Sequence, residues 1–195
     1  PILPGTDGAV ALAMLNVILN ELGTYDAEFL AQKTNAPYLF GPDVTYLRDA
    51  ETDKAMVWDP KAKQAKTWDD TSVKDYVIEG EFEIDGIKYQ PGFQLFKEHV
   101  KQYTPEWASE ISTVPAATIR RIATEFAEAA QIGSTIEIKG EKVPFRPVAA
   151  VMFRGGQGHT NSAHSYCAMC TLNMIVGAMD VAGGCLGWPP VSMGH

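Results

Sequence analysis

Nine consecutive residues, Arg154-Gly155-Gly156-Gln157-Gly158-His159-Thr160-Asn161-Ser162, bring together one cation, three glycines, side-chain amides and an imidazole. Glycines let a backbone approach a ligand closely, and successive amides opening a helix favour anions. In outline this is a phosphate or nucleotide loop. The same composition also suits a plain connection, since glycine is common in loops. It is neither a Walker loop, for Gly-Lys-Ser/Thr is absent, nor a complete Gly-x-Gly-x-x-Gly fingerprint, which disfavours a nicotinamide cofactor. Two further groups invite chemistry. Cys167 and Cys170 have redox or metal spacing, but only Cys185 remains to join them, short of four zinc or cluster ligands. They lie in an apolar helical pattern with Leu172, Ile175 and Val176, and read better as buried small hydrophobes. His159 and His164 straddle an expected helix cap with no carboxylate close by to complete a triad.

The elements that must position these residues follow from pattern. The uncharged run from Val148 to Phe153 has strand character and feeds the glycine loop, and a helix is expected over about 164–177, capped by Asn161 or Ser162. Ligands in α/β sheets gather at such strand ends. At the other end of the chain, Pro4-Gly5-Thr6-Asp7 is a tight turn holding a helix cap, Thr6 or Asp7, with Asp7 suited to the positive end of the helix dipole. That helix is expected over 8–22, apolar on most faces, and Gly23 ends it. A short helix over 25–33 follows. Residues 37–90 differ in composition and read as an insertion of irregular chain and hairpins, Asp85-Gly86 marking a two-residue turn. Helical pattern returns over 93–102. Thr104-Pro105 signals a capped helix, and Thr113 is the expected cap of the next, which runs to about Ala130 with Ile119, Ile122, Ala123 and Phe126 on its apolar stripe. A second hairpin turns at Lys139-Gly140. Trp58, Trp68, Trp107 and Trp188 read as packing residues rather than stacking platforms.

Composition bounds the function. The chain has 195 residues, 46% hydrophobic and 21% charged, as a soluble globular domain with a sizeable core would have. A net charge of −8 argues against a duplex nucleic-acid binder. No apolar run reaches membrane-spanning length and no signal-peptide pattern is present, so no membrane insertion by this segment is expected. Three cysteines imply no disulfide framework. Neither end has the character of a natural terminus, and a longer parent is expected.

Taken in order, Pro4-Gly5-Thr6-Asp7-Gly8-Ala9, Glu106-Trp107-Ala108, the run from Val114 to Ala123, the Arg154 to Asn161 loop and the run from Gly177 to Cys185 resemble the catalytic subunit of the molybdopterin oxidoreductases, the DMSO reductase family. The hairpins and the His-Thr-Asn loop are most similar to its polysulfide/thiosulfate-reductase and acetylene-hydratase-like branch. The resemblance implies an α/β fold: a Rossmann-like sheet with flanking helices plus small β-hairpin insertions. Residues 1–195 would be part of the domain that binds molybdopterin guanine dinucleotide carrying molybdenum or tungsten. Pro4, Gly5, Thr6 and Asp7 would meet the guanosine end, the Asp7 carboxylate accepting from guanine N1 and N2. Arg154, Gly155, Gly156, Gln157, Gly158, His159 and Thr160 would lie against pterin and pyrophosphate. The family's 4Fe–4S motif and metal ligand are not in these residues. The implied partners are the remaining domains of the parent chain, together with an iron–sulfur electron-transfer subunit. The parent would lie in periplasm or cytoplasm, and the segment by itself would hold cofactor without being a working oxidoreductase. A non-catalytic α/β binding or assembly module, and a thiol or zinc protein, are the alternatives.

Overall fold

In chain order, the computed structural model, which describes residues 1–185, begins with α1 (Asp7–Asn16), continued by a π-helical turn (Val17–Glu21), then α2 (Ala27–Lys33). Five short strands follow: β1 (Leu39–Phe40), β2 (Met56–Asp59), β3 (Gln64–Thr67), β4 (Phe82–Ile84) and β5 (Ile87–Pro91). Next come α3 (Gly92–His99), a 3₁₀ turn (Val100–Gln102), α4 (Pro105–Ser112) and α5 (Ala116–Ala129). The hairpin β6 (Thr135–Ile138) and β7 (Glu141–Pro144), then α6 (Arg154–Gln157) and α7 (Ser162–Ile175), complete the order. The elements form two compact units, one of residues 27–99 and one of residues 1–26 with the chain from Val100 onward.

In the second of these, α1 is the central element and packs against α4, α5 and α7. Its sequence leaves it no choice: Ala11, Ala13, Met14 and Leu15, then Val17, Ile18 and Leu19, are all buried, and a helix apolar all round belongs inside. Asn16 is the polar exception. Its Nδ2 donates to Tyr103 O at 3.2 Å, and its Oδ1 accepts from Asn20 Nδ2 at 3.0 Å, so the buried amide is satisfied. Thr104 caps α4, its hydroxyl accepting from the Trp107 N–H at 3.1 Å, with Pro105 at the first helical position. Thr113 does not cap α5. It sits in the left-handed region (φ 65°) and terminates α4, and Pro115 opens α5 without any side-chain cap. Ile119, Ala123 and Ala127 form the buried stripe of α5, while Ile122 is partly exposed.

The unit of residues 27–99 carries the hairpin-rich chain. Strands β1-β5-β4 form an antiparallel sheet, and β2-β3 a separate hairpin. The Asp85-Gly86 turn sets Ile84 opposite Ile87, and in the other unit Lys139-Gly140 sets Ile138 opposite Glu141, the registers the two-residue loops demand. Leu39, Val57 and Phe93 are core residues here. Trp58 packs by stacking on Phe82 at 4.4 Å, and Trp107 packs against Tyr103, but Trp68 is 46% exposed. The expectation for Trp188 lies outside the described residues.

Helix and strand are mixed, as the α/β class requires, and the strands form small sheets. Among the described residues the sheets are antiparallel, and the parallel pairings are isolated bridges, Phe145 with Ala182 and Met179 with Cys185. One expected strand is absent. The run from Val148 to Phe153 forms no ladder, because no described strand lies beside it, and a strand exists only through its partners. No helix among the described residues is long and apolar enough to cross a membrane.

Candidate functional site

Helices α1 and α7 lie side by side and point the same way. Gly8, in the first turn of α1, faces Ser165 in the first turn of α7, while beyond their C-terminal ends the Asp26 N–H donates to Ile175 O at 2.7 Å. The approach at the N-terminal end is close. A Cβ on Gly8 would stand 2.6 Å from Ser165 Oγ and 3.3 Å from its Cα. Two helix N-termini, each with free amides and the positive end of a dipole, therefore open next to each other.

The segments that lead into these helices are the two expected from sequence. Before α1, the Thr6 N–H and hydroxyl both donate to Leu3 O, at 3.2 and 2.6 Å, and Gly5 takes φ 85°, where a side chain would be strained. Thr6 thus occupies the cap position of α1 with its hydroxyl spent on the turn and not on the helix. Before α7, the Arg154 to Gln157 stretch closes one short helical turn, α6. Asn161 holds the cap position of α7, but its amide caps nothing and instead donates to Gly5 O at 3.3 Å.

Turn and loop lie against each other. The His159 ring covers Gly5, where an added Cβ would stand 3.0 Å from Nδ1, and a Cβ on Gly156 would be 3.8 Å from the Asp7 carboxyl carbon. The resemblance set them at two ends of a ligand. The level start of two parallel helices makes them one surface. On it Arg154, Gly155, Gly158, His159, Thr160 and Pro4 are exposed, and Gly5, Thr6, Asp7, Gly156 and Gln157 half-buried. Met152 fills the space over Gly156, whereas Gly155 has nothing within 4 Å of its missing Cβ. The side chains of Asp7, Arg154, Gln157, His159 and Thr160 make no hydrogen bond or ion pair among the described residues. Arg154 only lies over the Phe153 ring, at 5.7 Å.

The chemistry of this surface is that of an anion site with one carboxylate beside it. Arg154, His159, Thr160 and the Gln157 amide supply donors, the Gly155 backbone is open to close approach, and Asp7 supplies an acceptor pair with no cation on it among the described residues. That donor set fits a nucleotide pyrophosphate, and the carboxylate fits a base edge bearing two adjacent N–H groups.

Sequence reasoning missed Asn161 as the link between loop and turn, and Gly8 with Ser165 as the spacing of the helices. A lone glycine in an otherwise apolar helix was the signal for Gly8. Gly8→Ala should cost about 1–3 kcal/mol through overpacking, despite alanine's better helix propensity, with Ser165→Gly restoring most of it. Thermal melts of the two single variants and the double variant measure this. A Gly8→Ala protein as stable as the parent would contradict the close packing.

Cys185 is half-buried; Cys167 is exposed and Cys170 half-buried, correcting the expectation that this pair is buried: Ala168, Leu172 and Ile175 take the inward positions of α7. Burial pushes the Cys170 thiol up, away from the reactive thiolate. No three His, Cys, Asp or Glu side chains among the described residues gather as metal ligands, and His164 is exposed on α7.

A turn and a glycine loop thus meet at the starts of two parallel helices in a chain of mixed helix and strand. The chain belongs to the molybdopterin oxidoreductases of the DMSO reductase family, whose catalytic subunits include its relatives. It is 34% identical over 211 residues to a sulfite dehydrogenase subunit of Allochromatium vinosum, a match covering 94% of this chain and 21% of that protein. It is 30% identical over 186 residues to the arsenate respiratory reductase molybdopterin-containing subunit of Chrysiogenes arsenatis, covering 94% of this chain and 16% of that one. Acetylene hydratase from Pelobacter acetylenicus shares the fold, with a TM-score of 0.51 at 23% identity over 97% of this chain and 16% of the hydratase. The chain thus spans about a sixth to a fifth of the length of such relatives. No family model matches it.

Proposed function

We propose that this chain forms part of the catalytic subunit of a molybdenum or tungsten bis(molybdopterin guanine dinucleotide) oxidoreductase, and that the surface at the starts of α1 and α7 holds one dinucleotide. The observation that carries this reading is the set of five polar side chains, Asp7, Arg154, Gln157, His159 and Thr160, left without protein partners among the described residues on one surface at two parallel helix N-termini. Asp7 accepts from guanine N1 and N2. Arg154, His159 and Thr160 donate to the pyrophosphate, which the helix dipoles also favour, and Gln157 adds an amide donor. The contiguity of turn and loop favours the pyrophosphate over the pterin as the loop's main contact. The bound metal–pterin supplies electron or oxygen-atom transfer, and this chain's residues position it. The 4Fe–4S cluster and metal ligand belong to other parts of the subunit, and an iron–sulfur electron-transfer subunit is its expected partner. The hairpin-rich residues 37–90 are an insertion within this domain.

The test is Asp7→Ala combined with Gln157→Ala in the full-length subunit, with pterin content read from the fluorescence of the oxidised, extracted pterin. Hydrogen bonds to charged groups contribute roughly 1.5–3 kcal/mol each, so retained cofactor should fall at least ~10-fold. Full retention would favour the alternative of a non-catalytic binding or assembly module.

A further inference from the structure

The unit of residues 27–99 carries a cleft of about 370 Å³ between the chain from Gly41 to Arg48 and strand β5. That volume lies within the range of small-ligand sites. A tight turn forms one wall: the Gly41 N–H donates to Thr45 O and the Val44 N–H to Gly41 O, each at 3.0 Å. Gly41 itself is not in the left-handed region, so its backbone does not require glycine. What glycine leaves there is space. A Cβ would stand 3.1 Å from Asp43 Oδ1 and 3.3 Å from Tyr89 Cε1, covering the edge of that ring. Tyr89 is half-buried, yet it makes no hydrogen bond and meets no other ring among the described residues.

The neighbouring Tyr46 is fully engaged. Its hydroxyl accepts from Asn35 Nδ2 at 2.8 Å, and its ring packs against Phe40 and Tyr38. Over this fixed ring lies the Arg48 guanidinium, 5.7 Å from the centroid, with Nη1 donating to Asp53 O at 2.7 Å. The Asp53 carboxylate stands off at 3.8 Å from the same nitrogen. Ring and carbonyl together hold the guanidinium in place, while its Nε and Nη2 donate to nothing among the described residues. A planar guanidinium with one edge free is suited to a carboxylate, which it meets with two parallel bonds.

The remaining wall is apolar, with Leu47 and with Ile87, which is 45% exposed. Asp43 limits the charge a ligand can carry. Both its oxygens accept from the Thr45 hydroxyl at 2.8 Å, which holds its carboxyl below the usual carboxylate range and keeps it ionised. A second negative charge in the cleft would be repelled by it.

We propose that this cleft binds an aromatic monocarboxylate, its ring against Tyr89 in the space left by Gly41 and its carboxylate on the free edge of Arg48. Offset packing on an otherwise unpaired tyrosine favours a flat ring over an alkyl chain. The site shares no residue with the surface at the starts of α1 and α7, and it does not rest on the cofactor reading.

Phenylacetate is the probe, titrated into the full-length subunit and followed by saturation-transfer NMR. A dissociation constant on the order of 0.1–1 mM is expected, with 2-phenylacetamide, which lacks the charge, and acetate, which lacks the ring, each roughly 5-fold weaker or more. Arg48→Gln should abolish the preference for phenylacetate over the amide. Gly41→Ala should weaken both aromatic ligands together, because it fills the space beside the ring. Arg48 is on the surface, so its variant should melt at the temperature of the parent. No transfer to phenylacetate at about 5 mM would overturn the proposal. Equal binding of acid and amide, or a preference unchanged in Arg48→Gln, would do the same. Binding to the 195-residue chain but not to the full-length subunit would also count against it, by showing that other parts of the subunit fill the cleft. Pterin content plays no part in this readout, so the cofactor reading and this site fail independently.

Discussion

Arg146→Met should destabilise the protein by about 3–5 kcal/mol, because it strips the ion-pair partner from a buried carboxylate. Asp26 and Arg146 are each 8% exposed at the side chain. The guanidinium donates through Nη2 and Nε to Asp26 Oδ2, at 2.6 and 3.2 Å. Its Nη1 donates to Phe145 O at 2.8 Å and Ser134 O at 3.1 Å, so it also closes the base of the β6–β7 hairpin. Methionine fills much of the volume and takes this donor away from all of these acceptors. The gain from forming such a pair is small, since its desolvation nearly offsets its attraction, but breaking it on one side exposes the whole desolvation cost. Denaturant unfolding should show a lower midpoint with an unchanged slope. Asp26→Leu combined with Arg146→Met should recover much of the loss, because an apolar pair needs no desolvation. A single variant that loses less than about 1 kcal/mol would show that water reaches the carboxylate.

That ion pair was not legible in the sequence, and the reason is general. What could be read was local. The buried α1 follows from an unbroken apolar run, α4 from Thr104-Pro105, and both hairpin registers from Asp85-Gly86 and Lys139-Gly140. What could not be read depends on segments far apart in the chain, or on a neighbour that overrides a residue's own preference. Thr113 has the composition of a cap and instead ends a helix, because the following Val114-Pro115 draws the backbone out of the helical region there. The Val148 run has strand composition but no neighbour to pair with. The site divides in the same way. Each residue of the turn and the loop was named from the sequence, with the ligand identity carried by family resemblance. Their meeting on one surface depends on the spacing between Gly8 and Ser165, a tertiary fact.

Gly177→Ala should cost about 2–4 kcal/mol, from two causes that a second substitution separates. Gly177 ends α7 in the left-handed region at φ 69°. Its N–H donates to Met174 O at 3.0 Å and the next N–H, of Ala178, to Asn173 O at 2.8 Å, the paired bonds of a glycine-terminated helix. Alanine there costs about 1 kcal/mol in backbone strain. Its Cβ would also run into Asp26 Oδ2 and displace the carboxylate that Arg146 grips, which accounts for the rest. Asparagine tolerates the left-handed conformation but carries the same Cβ. Gly177→Asn should therefore recover no more than about 1 kcal/mol; near-complete recovery would assign the effect to strain alone. The junction stands at the C-terminal ends of α1 and α7, while the surface proposed to hold the cofactor is at their N-terminal ends. Gly177→Ala should consequently lower the melting temperature while the folded fraction keeps its pterin content. If cofactor is lost in proportion to stability in the folded protein as well, the helix pair does not transmit its register as a rigid unit, and the loops at its start are held by something other than the α1–α7 contact.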